Sequence, residues 1–219
     1  MTYRKVALIG IISIGFLGGC LGAQPEEELY VAFENAANQE KTLFDNAKKL
    51  EQLETKGQEL YDQIVQEGKE HNEAVIPKIE QAVTNVDERE KVLKSEKDVI
   101  EKAQKETTSV QNYIDKIEDK KLQKQAKKVE EVYKNRYEVF QKMDKIYKET
   151  LITEKELYEK LKEKETNLKE ISEKVKAVNT LNKETLKEKF NQYTKDYNEG
   201  KLRFYKDAKI KIKEQKQEN

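Results

Sequence analysis

One cysteine, one histidine, two prolines, eight glycines and no tryptophan occur among the 219 residues of this chain. Scarce glycine and proline remove the turn chemistry that a many-stranded β fold or a Rossmann domain needs. A lone cysteine allows no intramolecular disulfide, so an exported body must be stable through packing alone. The lone histidine, His71, cannot supply the Glu-x-x-His pair that a di-iron bundle needs on each of two helices, and any histidine-based triad would have to be built around it. Its polar neighbours Glu70 and Asn72 make it a solvated turn residue. Neither a Gly-rich phosphate loop nor zinc-ligand spacing occurs. The chain therefore reads as a non-enzyme with no cofactor and no metal. Charge of one sign is also missing, because 43 basic and 43 acidic residues cancel. Arg4 and Lys5 precede Cys20 and no acid does, so 43 less 2 leaves 41 basic against 43 acidic residues after it. Nucleic-acid binders normally show a basic face, and this balance speaks against one.

What is abundant is charge of both signs, at 39% of residues, carried by Glu and Lys and accompanied by Leu and Gln. These are strong helix formers and point to long helices. The only long apolar run, Val6 to Leu17, follows the basic residues Arg4 and Lys5. It is too short to span a bilayer comfortably and has the length of a secretory signal peptide. Leu17-Gly18-Gly19-Cys20 then resembles the bacterial lipobox, in which the thiol receives diacylglycerol and cleavage falls between Gly19 and Cys20. A buried core cysteine behind an ordinary signal peptide is the blander reading. The position of the only Cys at the end of the only apolar run speaks for lipidation, with diacylglycerol and palmitate as the anchor. Two or three acyl chains give lasting attachment where one gives only marginal binding.

The expected organisation is a signal peptide over 1–19, a lipidated tether over 20–25, a helical body over 26–214 and a polar tail over 215–219. Leu21 to Pro25 spans at most about 18 Å when extended, which keeps the body close to the membrane. Pro25 followed by Glu26, Glu27 and Glu28 is a helix start, since Pro fits the first turn and the acids complement the helix dipole. A first helix is predicted to run to about Glu67 along Phe33, Ala36, Glu40, Leu43, Ala47 and Leu50. Gly68, His71, Asn72 and Pro77 mark a turn. A second helix carries Ile79, Val83, Val86, Leu93, Ile100, Thr107 and Ile114 to a break at Glu118–Lys121. The third has an unslipped stripe that includes Tyr133, Arg136, Phe140, Tyr147, Thr150, Glu154 and Leu161 and runs to Val178. Asn179, Thr180 and Asn182 then turn the chain into a fourth helix through Phe190, Tyr193, Tyr197 and Phe204. The fold expected is all-α: an elongated antiparallel up-and-down four-helix bundle with coiled-coil-like packing. A three-helix bundle with a splayed last hairpin, or an open coiled-coil rod, is the alternative.

The lipobox at Cys20, the Lys- and Glu-rich helices, the Ile76-Pro77 turn and the segment Tyr133-Lys134-Asn135-Arg136-Tyr137 resemble the "putative cell-wall-binding lipoprotein" family of Gram-positive bacteria, the YkyA-like family. The resemblance covers the whole chain, and the lipobox is its one specific motif. It implies a helical bundle on the outer face of the cytoplasmic membrane, under the wall. The function expected is a cell-wall-associated binding or spacing module held on the membrane by its lipid, with peptidoglycan as partner. A scaffold or holdase for another envelope protein is the alternative.

A candidate ligand groove follows from register. If the fourth helix folds back at about Thr180, Phe204 lies near Glu156, and the level of Tyr133, Arg136, Tyr137 and Phe140 is covered by only three helices. Thr107, Gln104 and Gln111 of the second helix and Ala36 of the first would face it. Aromatics with one arginine and polar partners suit a ligand. The blander reading is that Arg136 lays its stem over the core while the aromatics pack.

Overall fold

The structure is a computed structural model that describes residues 24–67, 75–162, 173, 176 and 184–211. The expected signal peptide, Cys20, Gly68, His71 and Asn72 of the expected turn, the Asn179–Asn182 turn and the polar tail lie outside the described residues. Ile76 and Pro77, expected in a turn, open a helix, where proline fits the first turn. Among the described residues there is no strand. The helices are α1 (Pro25–Gln39), α2 (Leu43–Glu67), α3 (Ile76–Glu106), α4 (Val110–Lys116), α5 (Lys120–Leu161) and α6 (Glu184–Asp207). The chain is all-α and bundle-like, as its periodicity predicts.

Local chemistry explains the helix ends. Pro25 opens α1, followed by three acids in its first turn. Asp119 Oδ1 accepts from the backbone N–H groups of Lys121 and Leu122 and so caps α5. The last turn of α6 closes with Lys209 at φ 57°. Ile210 N–H then donates to Tyr205 C=O at 2.9 Å and Lys209 N–H to Lys206 C=O at 3.1 Å. This is a Schellman cap with lysine where glycine is usual.

Two predicted helices are interrupted. The first breaks at Glu40–Thr42, a 3-10 turn, and Ala47 in the expected apolar stripe is exposed. The second breaks at Thr107–Ser109. Thr107 and Thr108 hydroxyls donate to the carbonyls of Gln104 and Lys105 at 2.8 and 2.9 Å, competing with the helical ladder. The expected break at Glu118–Lys121 is present as the α4–α5 turn.

The chain divides into two compact units. The first takes the described residues of 1–41, 99–140 and 187–219. Its core draws Leu29, Phe33 and Ala36 from α1, Ala103 from α3, Val110 and Ile114 from α4, Ala126, Val129 and Tyr133 from α5, and Tyr197, Phe204 and Tyr205 from α6. Phe33 and Phe204 are fully buried, and each such ring contributes roughly 1.5–3 kcal/mol. Tyr30 stacks edge-on against Tyr205 and Phe33 against Tyr197, so α1 and α6 are antiparallel. Along α5 and α6 the neighbours are Phe140 with Phe190, Arg136 with Thr194, Tyr133 with Tyr197, and Val129 with Gly200. Those pairs centre the register about residue 165 rather than at Thr180.

The second unit takes the described residues of 42–98 and 141–186. Leu60 and Ile64 of α2, Ile79, Ala82, Val86 and Leu93 of α3, and Tyr147, Leu151 and Tyr158 of α5 form its core. Asn46 meets Ser95 while Lys78 meets Gln63 and Glu67, so α2 and α3 run antiparallel about a centre near residue 70. That agrees with the register expected from a turn near His71, with Ile64 and Ile79 in one cluster.

Candidate functional site

The candidate residues Tyr133, Arg136 and Phe140 are brought together, but in the interior of the first unit. α6 covers their level, so the expected three-helix seam is not formed. Arg136 is 4% exposed, and each nitrogen of its guanidinium has a partner. Nη1 and Nη2 donate to the two oxygens of Glu40 at 2.7 and 2.8 Å, and Nε donates to Thr194 Oγ1 at 2.8 Å. Thr194 passes its own hydrogen bond to Phe190 C=O at 2.8 Å. The guanidinium lies 4.6 Å from the centre of the Phe190 ring, a cation–π stack that replaces lost hydration.

The other residues expected in the groove do not join it. Gln111 is exposed and donates to Asp115 at 2.8 Å, four residues along its own helix. Thr107 bonds to Gln104 C=O, and both are half-buried at the α3–α4 break. Tyr137 is half-buried. The partner of Arg136 is Glu40, in the 3-10 turn that follows α1, with Ala36 of α1 packed into the core one turn earlier.

A second buried pair lies in the same unit. Lys201 Nζ and Tyr205 OH both donate to Glu34 Oε1, at 2.7 and 2.9 Å. Lys201 is 6% exposed and lies 5.3 Å from the Tyr197 ring centre. Burial, and then the Glu34 charge, hold the Tyr205 hydroxyl well above the usual tyrosine range. Burial raises Tyr197 in the same way, with Tyr133 and Glu40 adding to it. For Arg136 burial works against the cation, but Glu40 outweighs it and the net shift is upward. These groups are buried and face one another rather than solvent.

Sequence reasoning missed Glu34 and Lys201, which fall outside the apolar stripes. It did place Glu40 and Arg136 in the stripes of two helices. Opposite charges at core positions of two neighbouring helices were the available signal for a buried pair. The second unit repeats the pattern, with Arg89 paired to Glu154 and Tyr147 donating to Glu54 at 2.7 Å. Among the described residues no group of His, Cys, Asp and Glu could hold a metal ion. Nor is any helix among them long and apolar enough to cross a membrane.

Residues 24–207, from the residue before α1 to the last residue of α6, match the YkyA family, described as "Putative cell-wall binding lipoprotein". The chain belongs to this family. It is 29% identical over 110 residues to the uncharacterized lipoprotein YkyA of Bacillus subtilis (strain 168). That stretch is 50% of this chain and 49% of the Bacillus protein, so the match spans about half the length of the curated relative. The fold is similar to the crystal structure of a conserved protein of unknown function from Staphylococcus aureus. The TM-score is 0.59 and the identity 19%, over 84% of this chain and 92% of that one. At that identity the likeness is one of fold alone. The family is described as one of lipoproteins.

Proposed function

We propose that this YkyA-family chain is anchored by lipid at Cys20 on the extracytoplasmic face of the membrane, and that its helical body is a non-catalytic cell-wall-binding or spacing module. The observation that carries this reading is the sequence Leu17-Gly18-Gly19-Cys20, placed directly before a body that matches a lipoprotein family named for wall binding. The interior supports a binding role for outer faces rather than for a cavity, because Arg136 and Lys201 are consumed by Glu40 and Glu34. Contact with the wall then falls to half-buried and exposed side chains such as Tyr137 and Tyr193.

The test is co-sedimentation of the detergent-extracted, lipidated protein with purified peptidoglycan, beside cross-linking to membrane proteins in cells. Saturable retention on peptidoglycan supports the wall-binding module. Cross-linking to one envelope protein without retention on peptidoglycan overturns it in favour of a scaffold or holdase.

A further inference from the structure

One end of the first unit gathers three chain segments that sequence distance keeps apart. Tyr30 of α1 packs on Tyr205 of α6 with ring centres 4.8 Å apart. Lys121 and Gln125 of α5 both donate to Asp207, the last residue of α6, at 3.0 and 2.8 Å. Gln123 of α5 donates to Ile114 C=O of α4 at 3.1 Å. The start of α1, the α4–α5 turn and the C-terminal cap of α6 therefore share one end of the unit. Gln24 accepts from Glu27 and Glu28 N–H groups and sits at this end, where the chain arrives from the tether.

The charges here are of both signs, and Lys120 donates to Gln123 Oε1 at 3.4 Å. Among the acids, Asp119 caps α5, Asp207 is held by Lys121 and Gln125, and Asp115 accepts from Gln111. Glu26, Glu27 and Glu28 lie in the first turn of α1, and Glu118 is exposed in the turn. Lys116, Lys120, Lys124, Lys209 and Lys211 are exposed on α4, α5 and the segment after α6. Their long stems can lie along the protein while the ammonium groups reach outward.

We infer that this end of the first unit, formed by the α4–α5 turn and the cap of α6, is a surface that meets the membrane, its lysines among the lipid phosphates. The inference rests on the lipid anchor at Cys20. A tether of at most about 18 Å starts at the anchor and enters the unit at this end, which keeps the end within that distance of the headgroup layer. Anionic headgroups attract lysines within about a Debye length, roughly 8 Å at physiological salt. The opposite end of α6, near Lys189, lies about 27 Å away at 1.5 Å per residue.

The experiment uses the full mature lipidated protein in vesicles of phosphatidylglycerol and phosphatidylcholine whose headgroups carry a nitroxide quencher. An environment-sensitive dye is attached in turn to Glu118→Cys, Lys211→Cys and Lys189→Cys, and mass spectrometry of each sample reads diacylglyceryl on Cys20. Quenching several-fold stronger at positions 118 and 211 than at 189 supports the surface. Equal quenching at all three positions in lipidated protein overturns it and leaves the anchor standing. Absence of lipid on Cys20 overturns the anchor, and the surface with it. If the difference is the same in vesicles without phosphatidylglycerol, the lysine contact is refuted.

Discussion

Arg136 and Glu40 form a two-pronged ion pair inside the first unit, with both nitrogen–oxygen distances under 3 Å and Arg136 almost wholly removed from water. Removing one partner strands the other charge in a medium that solvates it poorly, at a cost of about 3–5 kcal/mol. Arg136→Ala and Glu40→Ala should each lower the urea midpoint by that equivalent. The double change Arg136→Met with Glu40→Leu should recover most of the loss, since an apolar pair of similar volume avoids the desolvation. Recovery no better than either single variant would show that the pair acts through some other contact.

Alkaline pH above 10 should destabilise the protein. Burial, followed by nearby carboxylates and, for Tyr197, first by Tyr133, raises the hydroxyls of Tyr133, Tyr147, Tyr197 and Tyr205, and pushes Tyr158 up to about 12. The unfolded chain therefore releases these protons first. The stabilisation is complete below pH 10 and is lost as pH rises through the folded values. Tyr158 alone contributes on the order of 2 kcal/mol. Absorbance near 295 nm should show these five tyrosines ionising together with helix loss, above pH 10. A smooth titration of all tyrosines near pH 10 with helicity intact would contradict this.

Gly57 should not tolerate alanine, although alanine is the better helix former. A Cβ there would lie 2.8 Å from Asn85 Oδ1, in a side chain that is 4% exposed and donates to Leu53 C=O at 2.9 Å. Gly57→Ala should cost about 1–2 kcal/mol by forcing that bond apart. In an Asn85→Ala background the same change should become neutral or favourable, as helix propensity then decides. Thermal melts of the four proteins in this cycle read the coupling.

Lys209 should be improvable. Its positive φ is strained for a side chain with a Cβ, and glycine removes the strain while leaving the cap's backbone bonds in place. Lys209→Gly should raise stability by up to about 1 kcal/mol, and Lys209→Val should lower it. A loss on Lys209→Gly would mean that the lysine side chain, not the backbone, holds the cap.

Cys20→Ala should leave the chain without diacylglycerol and shift it from the membrane fraction to the soluble extracytoplasmic fraction or to an unprocessed precursor. Mass spectrometry and fractionation check this. Membrane retention through covalent lipid in the Cys20→Ala protein would refute the anchor.

Much of the fold was legible because its signals are local. Pro25 with three acids, the break at Glu118–Lys121 and the stripe of α5 each act within a turn or two of helix, so residue order alone specifies them. The α2–α3 register was legible too, since the turn around His71 is chemically marked. The register of α5 and α6 was not. A uniform stripe can slide by whole heptads with its apolar face unchanged, and Phe204 was displaced by about 30 residues along α5, from the level of Glu156 to that of Ala126. Tertiary complementarity decides the matter, because one position alone lets Arg136 meet Glu40 and Thr194 while Phe140 meets Phe190. The all-α class, the start of α1 and the α4–α5 break were thus determined by the sequence alone, whereas the breaks at Glu40–Thr42 and Thr107–Ser109 were not. Which buried charges meet, and hence that the aromatic level around Arg136 is closed rather than open, was decided only in three dimensions, where leaving either charge unpaired would cost about 3–5 kcal/mol.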